Sequence, residues 1–300
     1  MNDFRQWLQQ ERYMPSTING HVMNVGYFTA WLTDNGLQEA ENIQHKNILE
    51  YVQHEQRRNL DTATINLRLC SIGLYFEYLK TESLALRNPA RTLRIKGKLQ
   101  KVVERPLSCA ELEGLYYSYK QLNRETPNNT KDKVALAHGR NIVIVGMLVW
   151  QGLHSGELNK LATHHIKLDE GNIYIPGTTR SNSRELKLHP QQVLSLHSYL
   201  NGGIRDKLMQ YAKTPSKEGL FGANCRGILR DLTEEIKGIN PAIKNAGHIR
   251  ASVILHWLKQ HNKRQVQYMA GHKYIDSTER YAAQQTDTLT DLLSKHHPFG

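Results

Sequence analysis

The sharpest chemical signal in the chain is the run Gln265-Val266-Gln267-Tyr268-Met269-Ala270-Gly271-His272, followed by Ile275 and Ser277-Thr278-Glu279-Arg280-Tyr281. Val266 and Met269 bury one face of a helix that Gly271 ends, which places His272 on the turn and Tyr281 nine residues on, at the start of the next segment. Upstream, His248-Ile249-Arg250 opens another apolar helix carrying Val253, Ile254, Trp257 and Leu258. An arginine there aims a planar, permanently charged fork at whatever binds near the helix start. A tyrosine near a histidine proves little by itself, since this chain has 14 tyrosines and most are packing residues. His164-His165 could suggest a metal pair, but adjacent strand positions point to opposite faces, so no metal site is expected. No G-x-x-x-x-G-K-[ST] or G-x-G-x-x-G loop is present, so neither an NTPase nor a dinucleotide enzyme is signalled, and no cofactor is expected.

The elements that must carry these residues form two domains, the number that 300 residues suggest. The first ninety residues read as helices. Ile18, Val22, Val25, Thr29 and Leu32 step by fours and threes after Ser16-Thr17 and stop at Asn35-Gly36, and Ile65, Leu69, Ile72, Phe76 and Leu79 repeat the steps. Phe4, Trp7 and Leu8 give a short leading helix and Ile43, Ile48 and Val52 a third main one, so four amphipathic helices pack as a bundle. A second domain opens after Pro106 with the capping box Ser108-x-x-Glu111. A polar loop follows from Asn123 to Lys133, then an apolar helix from Val134 to Trp150 broken at Gly152, and a helix starting near Ser155. Between His165 and Pro190 the runs HIKL, NIYIP and RELKL predict a small antiparallel sheet, and helices resume from Gln191. The fold class is therefore mainly α with a small antiparallel β-sheet, in domains 1–86 and 106–300 joined by residues 87–105.

Charge points to the partner. Thirty-nine Lys+Arg against 28 Asp+Glu give +11, a surplus that a polyanion normally offsets. The segment Arg87 to Arg105 holds seven basic residues and one acid, Glu104. A stretched chain with cations at intervals suits a strap along a phosphate backbone, with Arg87, Arg91, Arg94, Lys96, Lys98 and Lys101 as DNA-binding residues. Its bland reading is a solvated linker. The longest wholly apolar run, Ile142 to Trp150, is too short to span a bilayer, and the polar amino terminus has no signal-peptide core. Three scattered cysteines fit a reducing compartment, so a cytoplasmic, nucleoid-associated or mobile-element protein is expected.

Four spaced motifs now agree with this plan: Gln151-Gly152-Leu153-x-Ser155-Gly156-Glu157-Leu158, the Arg250 helix, Gly271-His272, and Thr278-Glu279-Arg280-Tyr281. In order and spacing the chain resembles the tyrosine recombinase (phage integrase, Xer-like) family over its whole length. The resemblance implies a helical, SAM-like core-binding domain and an α+β catalytic domain that close on duplex DNA as a C. It implies a 3′-phosphotyrosyl intermediate at Tyr281, with Arg250 as phosphate clamp and His272 as donor, and needs neither metal nor ATP. It also implies a homotetramer on paired sites, coordinated by a carboxyl-terminal helix through Leu289, Leu292 and Leu293, alongside accessory DNA-bending or partner recombinase proteins.

The sequence departs from the family pattern at three expected positions. His154 stands where the first box has arginine, Gly247 stands three residues before Arg250 with His248 one place late, and Thr178-Thr179 occupy the turn that usually carries lysine. An imidazole gives one donor instead of a fork, and losing one such donor costs about 3 kcal/mol in a transition state. Compensation would come from Arg180 or Arg184 at the β-turn, with His154 and His248 as further donors; Arg184 otherwise reads as a DNA contact. The competing readings are a catalytically impaired DNA-binding homologue acting as accessory factor or regulator, and a relaxing topoisomerase with the same tyrosine chemistry.

Overall fold

The computed structural model describes residues 1–37, 42–96, 103, 105–122, 131–211, 218–222 and 224–283. The chain divides into two compact units, Met1–Gln100 and Lys101–Gly300.

The first unit is a bundle of α1 (Asn2–Gln10), α2 (Pro15–Asp34), α3 (His45–Arg57) and α4 (Thr62–Thr81). Their apolar stripes meet in one core through Phe4, Leu8, Ile18, Val25, Phe28, Ile48, Ile65, Leu69, Ile72 and Phe76. Phe28 rather than Thr29 takes the buried position between Val25 and Leu32 in α2, and the helix start is set by Pro15 in the first turn, without a side-chain cap. Within this core His21 Nδ1 and Asn24 Nδ2 both lie on Ser71 Oγ, at 2.9 and 3.0 Å, a satisfied polar knot between α2 and α4. The basic segment is held to this unit well beyond residue 87. Asn88 donates to Gly73 O at 2.9 Å, and Asn66 bonds both the N–H and the C=O of Ile95 at 2.9 Å. Leu93 and Ile95 pack against the bundle core.

In the second unit α5 (Cys109–Gln121) starts on the expected box, Ser108 Oγ accepting from the Glu111 amide and Glu111 from the Ser108 amide. The long α6 (Lys131–Gln151) is the central helix, packed by α5, α8 (Pro190–Leu200), α9 (Ile204–Gln210) and α11 (Ala246–Gln260). By length and composition α6 could cross a membrane; here it supplies Val143, Ile144, Val145, Met147 and Leu148 to the core. After α6 the chain turns at Gly152, in the left-handed region at φ +57, into the single turn α7 (Ser155–Leu158).

Strands β1 (Ile166–Lys167), β2 (Asn172–Ile175) and β3 (Arg184–Lys187) form an antiparallel sheet in sequence order, with Ile173 opposite Leu186 and Ile175 opposite Arg184. The turn joining β2 to β3 is closed by Thr178, whose Oγ1 accepts from the amides of Arg180 and Ser181 at 3.1 and 3.0 Å. His164 and His165 sit in a 3₁₀ turn, Thr163–His165, rather than a strand, with ring centroids 4.3 Å apart. No cluster of metal-ligating side chains is found among the described residues. The unit continues through α10 (Cys225–Ile239), α11, α12 (Lys263–Ala270) and a last helix, α13, over residues 275–283. The loop expected at 123–133 lies largely outside the described residues, as does the carboxyl-terminal helix with Leu289, Leu292 and Leu293.

Candidate active site

The site is built around one buried carboxylate. His154 is the N-cap of α7: its Nδ1 accepts from the Gly156 amide at 3.0 Å, and Glu157 answers by accepting from the His154 amide at 3.1 Å. The spacing that caps the helix also drives Glu157 inward, where it is fully buried. Two guanidinium groups meet it there. Arg184 Nη1 lies 2.5 Å from one carboxylate oxygen and Arg250 Nη1 3.4 Å from the other.

The same two arginines close the end of α12. Arg184 Nε donates to Met269 O at 2.7 Å, Arg250 Nη2 donates to Ala270 O at 2.6 Å, and Arg250 Nη1 donates to Gly152 O. The last carbonyls of a helix have no intrahelical donor and carry its negative dipole end, so they are natural acceptors for buried cations. Burial pushes the Glu157 carboxyl up, but the Arg184 hydrogen bond and the Arg184, Arg250 and His154 charges outweigh it, so the group is held below the usual range.

Gly271 ends α12 at φ +68, and its carbonyl accepts from the Asn182 amide at 2.9 Å, which fastens the β2–β3 turn to the turn that carries His272. A side chain at 271 would strike Arg184 Nη1, so the position needs glycine for space as well as for its backbone. His272 Nδ1 is 2.8 Å from Oγ1 of the buried Thr278. Burial, and then the Arg250 and Arg184 charges, push the imidazole down to about 4, so it is neutral at pH 7.

Tyr281 stacks on this imidazole, with centroids 5.8 Å apart and planes 15° from parallel. It falls near the end of the described α13 rather than at the start of that segment, and packs on Val103, Ala251 and Leu255 on one side and Ile254, Val266 and Ala270 on the other. Burial raises the phenol above its ordinary value, against the lowering effect of Arg250 and Arg280, so the nucleophile candidate rests protonated.

Tyr281, His272, Arg250 and His154 are thus brought together. His154 is partly exposed, with Nε2 3.6 Å from Glu157, too far for a hydrogen bond; since Nδ1 accepts, the neutral ring carries its proton on Nε2, a donor free for an anion. Burial chiefly lowers its pKa, with Arg250, Arg184 and Arg180 adding to the effect. Arg180 is exposed on the β2–β3 turn.

Two expectations need correction. His248 is not at the site: it is buried, Nδ1 accepting from the Lys244 amide at 3.2 Å and Nε2 donating to Arg105 O at 2.7 Å, so both ring nitrogens are committed elsewhere. Arg184 is no surface DNA contact, since its side chain has no exposed area. On the strap Arg87, Arg91, Arg94 and Lys96 are exposed, while Lys98 and Lys101 lie outside the described residues. The structure adds three contributors that the motifs do not single out: Glu157 as organiser, Thr278 on His272, and Lys160, whose Nζ donates to Gly177 O in the β2–β3 turn at 2.6 Å. The Glu157 role was foreshadowed by its place three residues after His154.

Residues 1–83 match the family described as phage integrase, N-terminal SAM-like domain. The chain is 22% identical to tyrosine recombinase XerC of Bacillus subtilis, over 98% of its own length and 95% of that protein, and 24% identical to XerC of Xylella fastidiosa (strain M23), over 99% and 96%. The fold is also that of XerH site-specific recombinase bound to a palindromic difH substrate (TM-score 0.67, 17% identity, 92% of this chain and 79% of that one). It is likewise that of the Tn1549 transposon integrase in complex with a circular intermediate DNA (TM-score 0.62, 13% identity, 96% and 98%). Over nearly its whole length the chain is therefore similar to the Xer-type tyrosine recombinases, and its residues 1–83 match a phage-integrase SAM-like domain.

Proposed function

We propose that the protein is a site-specific DNA recombinase that cuts and rejoins duplex strands through a 3′-phosphotyrosyl link to Tyr281. The observation that carries this reading is the stacking of the Tyr281 phenol on a neutral His272, in one unit with an Arg250 fixed by a carboxylate and a helix end. The phenol oxygen attacks phosphorus and the bond from phosphorus to the 5′ oxygen breaks. The phenol proton is transferred, in net terms, to the departing 5′ hydroxyl. A 5′ hydroxyl from another strand then attacks the phosphotyrosine, rejoins the DNA and returns the proton to Tyr281. One phosphate ester replaces another at each step, so the bond energy is conserved without ATP. Arg250 holds a non-bridging oxygen, with Nε2–H of His154 as a neutral donor and His272 on the nucleophile's side, where charge grows in the transition state.

Arg87, Arg91, Arg94, Lys96, Lys98 and Lys101 bind the duplex backbone on this reading, and Arg180 adds a cation beside the scissile phosphate. A homotetramer on paired sites, joined through the carboxyl-terminal helix, completes the proposal. The second reading, a DNA-binding homologue that no longer cuts, draws on one observation: His154 replaces an arginine and its Nδ1 serves as a helix cap. The test is covalent trapping on nicked suicide duplexes tiled from the DNA flanking the gene. A denaturant-resistant adduct that vanishes with Tyr281→Phe supports the recombinase; tight, salt-sensitive binding without any adduct selects the second reading.

A further inference from the structure

We infer that Arg184, reaching from β3, is the second phosphate-binding arginine of this active site, filling in space the role that His154 leaves vacant in sequence. The inference rests on the recombinase reading and deepens it. Its first support is a charge count. Arg184 and Arg250 are both buried, with side chains 0% and 13% exposed, and share one carboxylate, Glu157. His154 and His272 are held neutral, so this interior cluster carries one positive charge more than its own groups balance. The carbonyls at the end of α12 offset only part of that excess, and an anion docking between the arginines removes the rest.

The second support is an unpartnered donor. Arg184 Nε is bonded to Met269 O and Nη1 to Glu157, yet Nη2 is buried with no hydrogen-bond partner. A buried N–H left unbonded in a folded protein calls for a missing acceptor. The acceptor needed is an anionic oxygen, and a phosphodiester has two non-bridging ones, enough for one from each arginine. Docking has to uncover Nη2.

The third is the way the site is shaped to keep Arg184 there. It shares Glu157 with Arg250, its Nε is fixed on the turn leading to His272, and Gly271 has no side chain where Arg184 Nη1 passes. Arg180, by contrast, stands exposed, with a guanidinium that has no partner among the described residues. Holding it beside a phosphate freezes a long side chain that nothing pre-positions, so its contribution is the smaller of the two.

The experiment uses the full chain and two readouts. Thermal unfolding is followed against inorganic phosphate, with ionic strength held constant by chloride, for the wild type, Arg184→Lys, Arg180→Ala and the double variant Glu157→Gln/Arg184→Met. The double variant removes both buried charges together, so its folding is spared an orphaned carboxylate. The wild-type midpoint rises with phosphate, and both Arg184 variants, still unfolding cooperatively, lose more than half of that rise. Adduct formation on the trapping duplexes falls about 100-fold in Arg184→Lys, the usual effect of losing one preorganised donor, and by less than tenfold in Arg180→Ala. No phosphate effect on the wild type, or an equal effect in the Arg184 variants, overturns the inference. Equal adduct formation by wild type and Arg184 variants also overturns it while leaving the recombinase reading intact. A phosphate effect that depends on Arg184, without any adduct from the wild type, leaves the phosphate clamp standing and removes the cutting activity.

Discussion

Among the described residues two carboxylates are buried under arginines, one in each unit, and they are built differently. In the amino-terminal unit Glu55 receives Arg68 from α4 and Arg58 at 3.1 Å. Arg68 also lies over the Tyr27 ring, 4.4 Å from its centroid, and the Arg58 side chain is 51% exposed, so the second cation is dissolved in water. In the carboxyl-terminal unit neither arginine on Glu157 is hydrated to that degree: the Arg184 side chain has no exposed area and that of Arg250 is 13% exposed. A carboxylate with one buried and one hydrated partner is electrically closed and serves as a clamp between helices. A carboxylate with two buried partners is left open toward an anion. Similar residues thus give structure in one place and a receptor in the other.

The largest expected effect breaks the comparison directly. Glu157→Ala leaves two buried guanidinium groups facing each other and costs about 3–5 kcal/mol in urea unfolding, more than Glu55→Ala, whose second arginine is already hydrated. The sharper version replaces each pair by apolar groups. Glu55→Met with Arg68→Leu is close to neutral in stability and leaves adduct formation intact.

Next in size, Gly271→Ala places a β-carbon at φ +68 and against Arg184 Nη1. It costs at least the 1–2 kcal/mol, roughly, of a left-handed residue, and lowers adduct formation by displacing the arginine. The clamp around Glu55 is untouched, so the Arg68 contacts to Glu55 and Tyr27 stay as they are.

A smaller effect concerns pH. His272 has its folded pKa lowered to about 4, so below its unfolded value of about 6.5 the unfolded chain takes up protons first. Stability contributed by the neutral ring is complete above pH 6.5 and drains away as the pH falls toward 4. His272→Asn flattens that slope in urea titrations at stepped pH. Smallest is the strap: Arg94→Ala and Lys96→Ala each reduce the log–log salt slope of duplex binding by about 0.9, leaving the chemistry at Tyr281 unchanged.

Much of this was legible in the sequence because helices with one buried face must repeat at 3.6 residues. The stripes through Ile65 and Phe76, the Ser108 box and the three short strands all follow from that kind of local rule. The grouping of Arg250, His272 and Tyr281 followed from motif order. What escaped was set by contacts distant in sequence. The commitment of His248 to Arg105 O spans 143 positions, and no local pattern reports it. The burial of Arg184 did leave a trace: in Arg184-Glu185-Leu186-Lys187 the arginine alternates with Leu186 on the inward face, while Glu185 and Lys187 face out. Its positive charge argued for the surface and the period argued for the core, and a buried carboxylate 27 positions away decided in favour of the period.

The grip of Asn66 on both polar groups of Ile95 has a consequence for DNA binding that charge alone does not contain. Arg94 and Lys96 flank a residue whose backbone is already ordered, so the freedom that a loose tail surrenders when it lies down on a duplex, about 1–2 kcal/mol per residue, has been given up during folding. Asn66→Ala therefore weakens binding at every salt concentration by the same factor, shifting the line without tilting it.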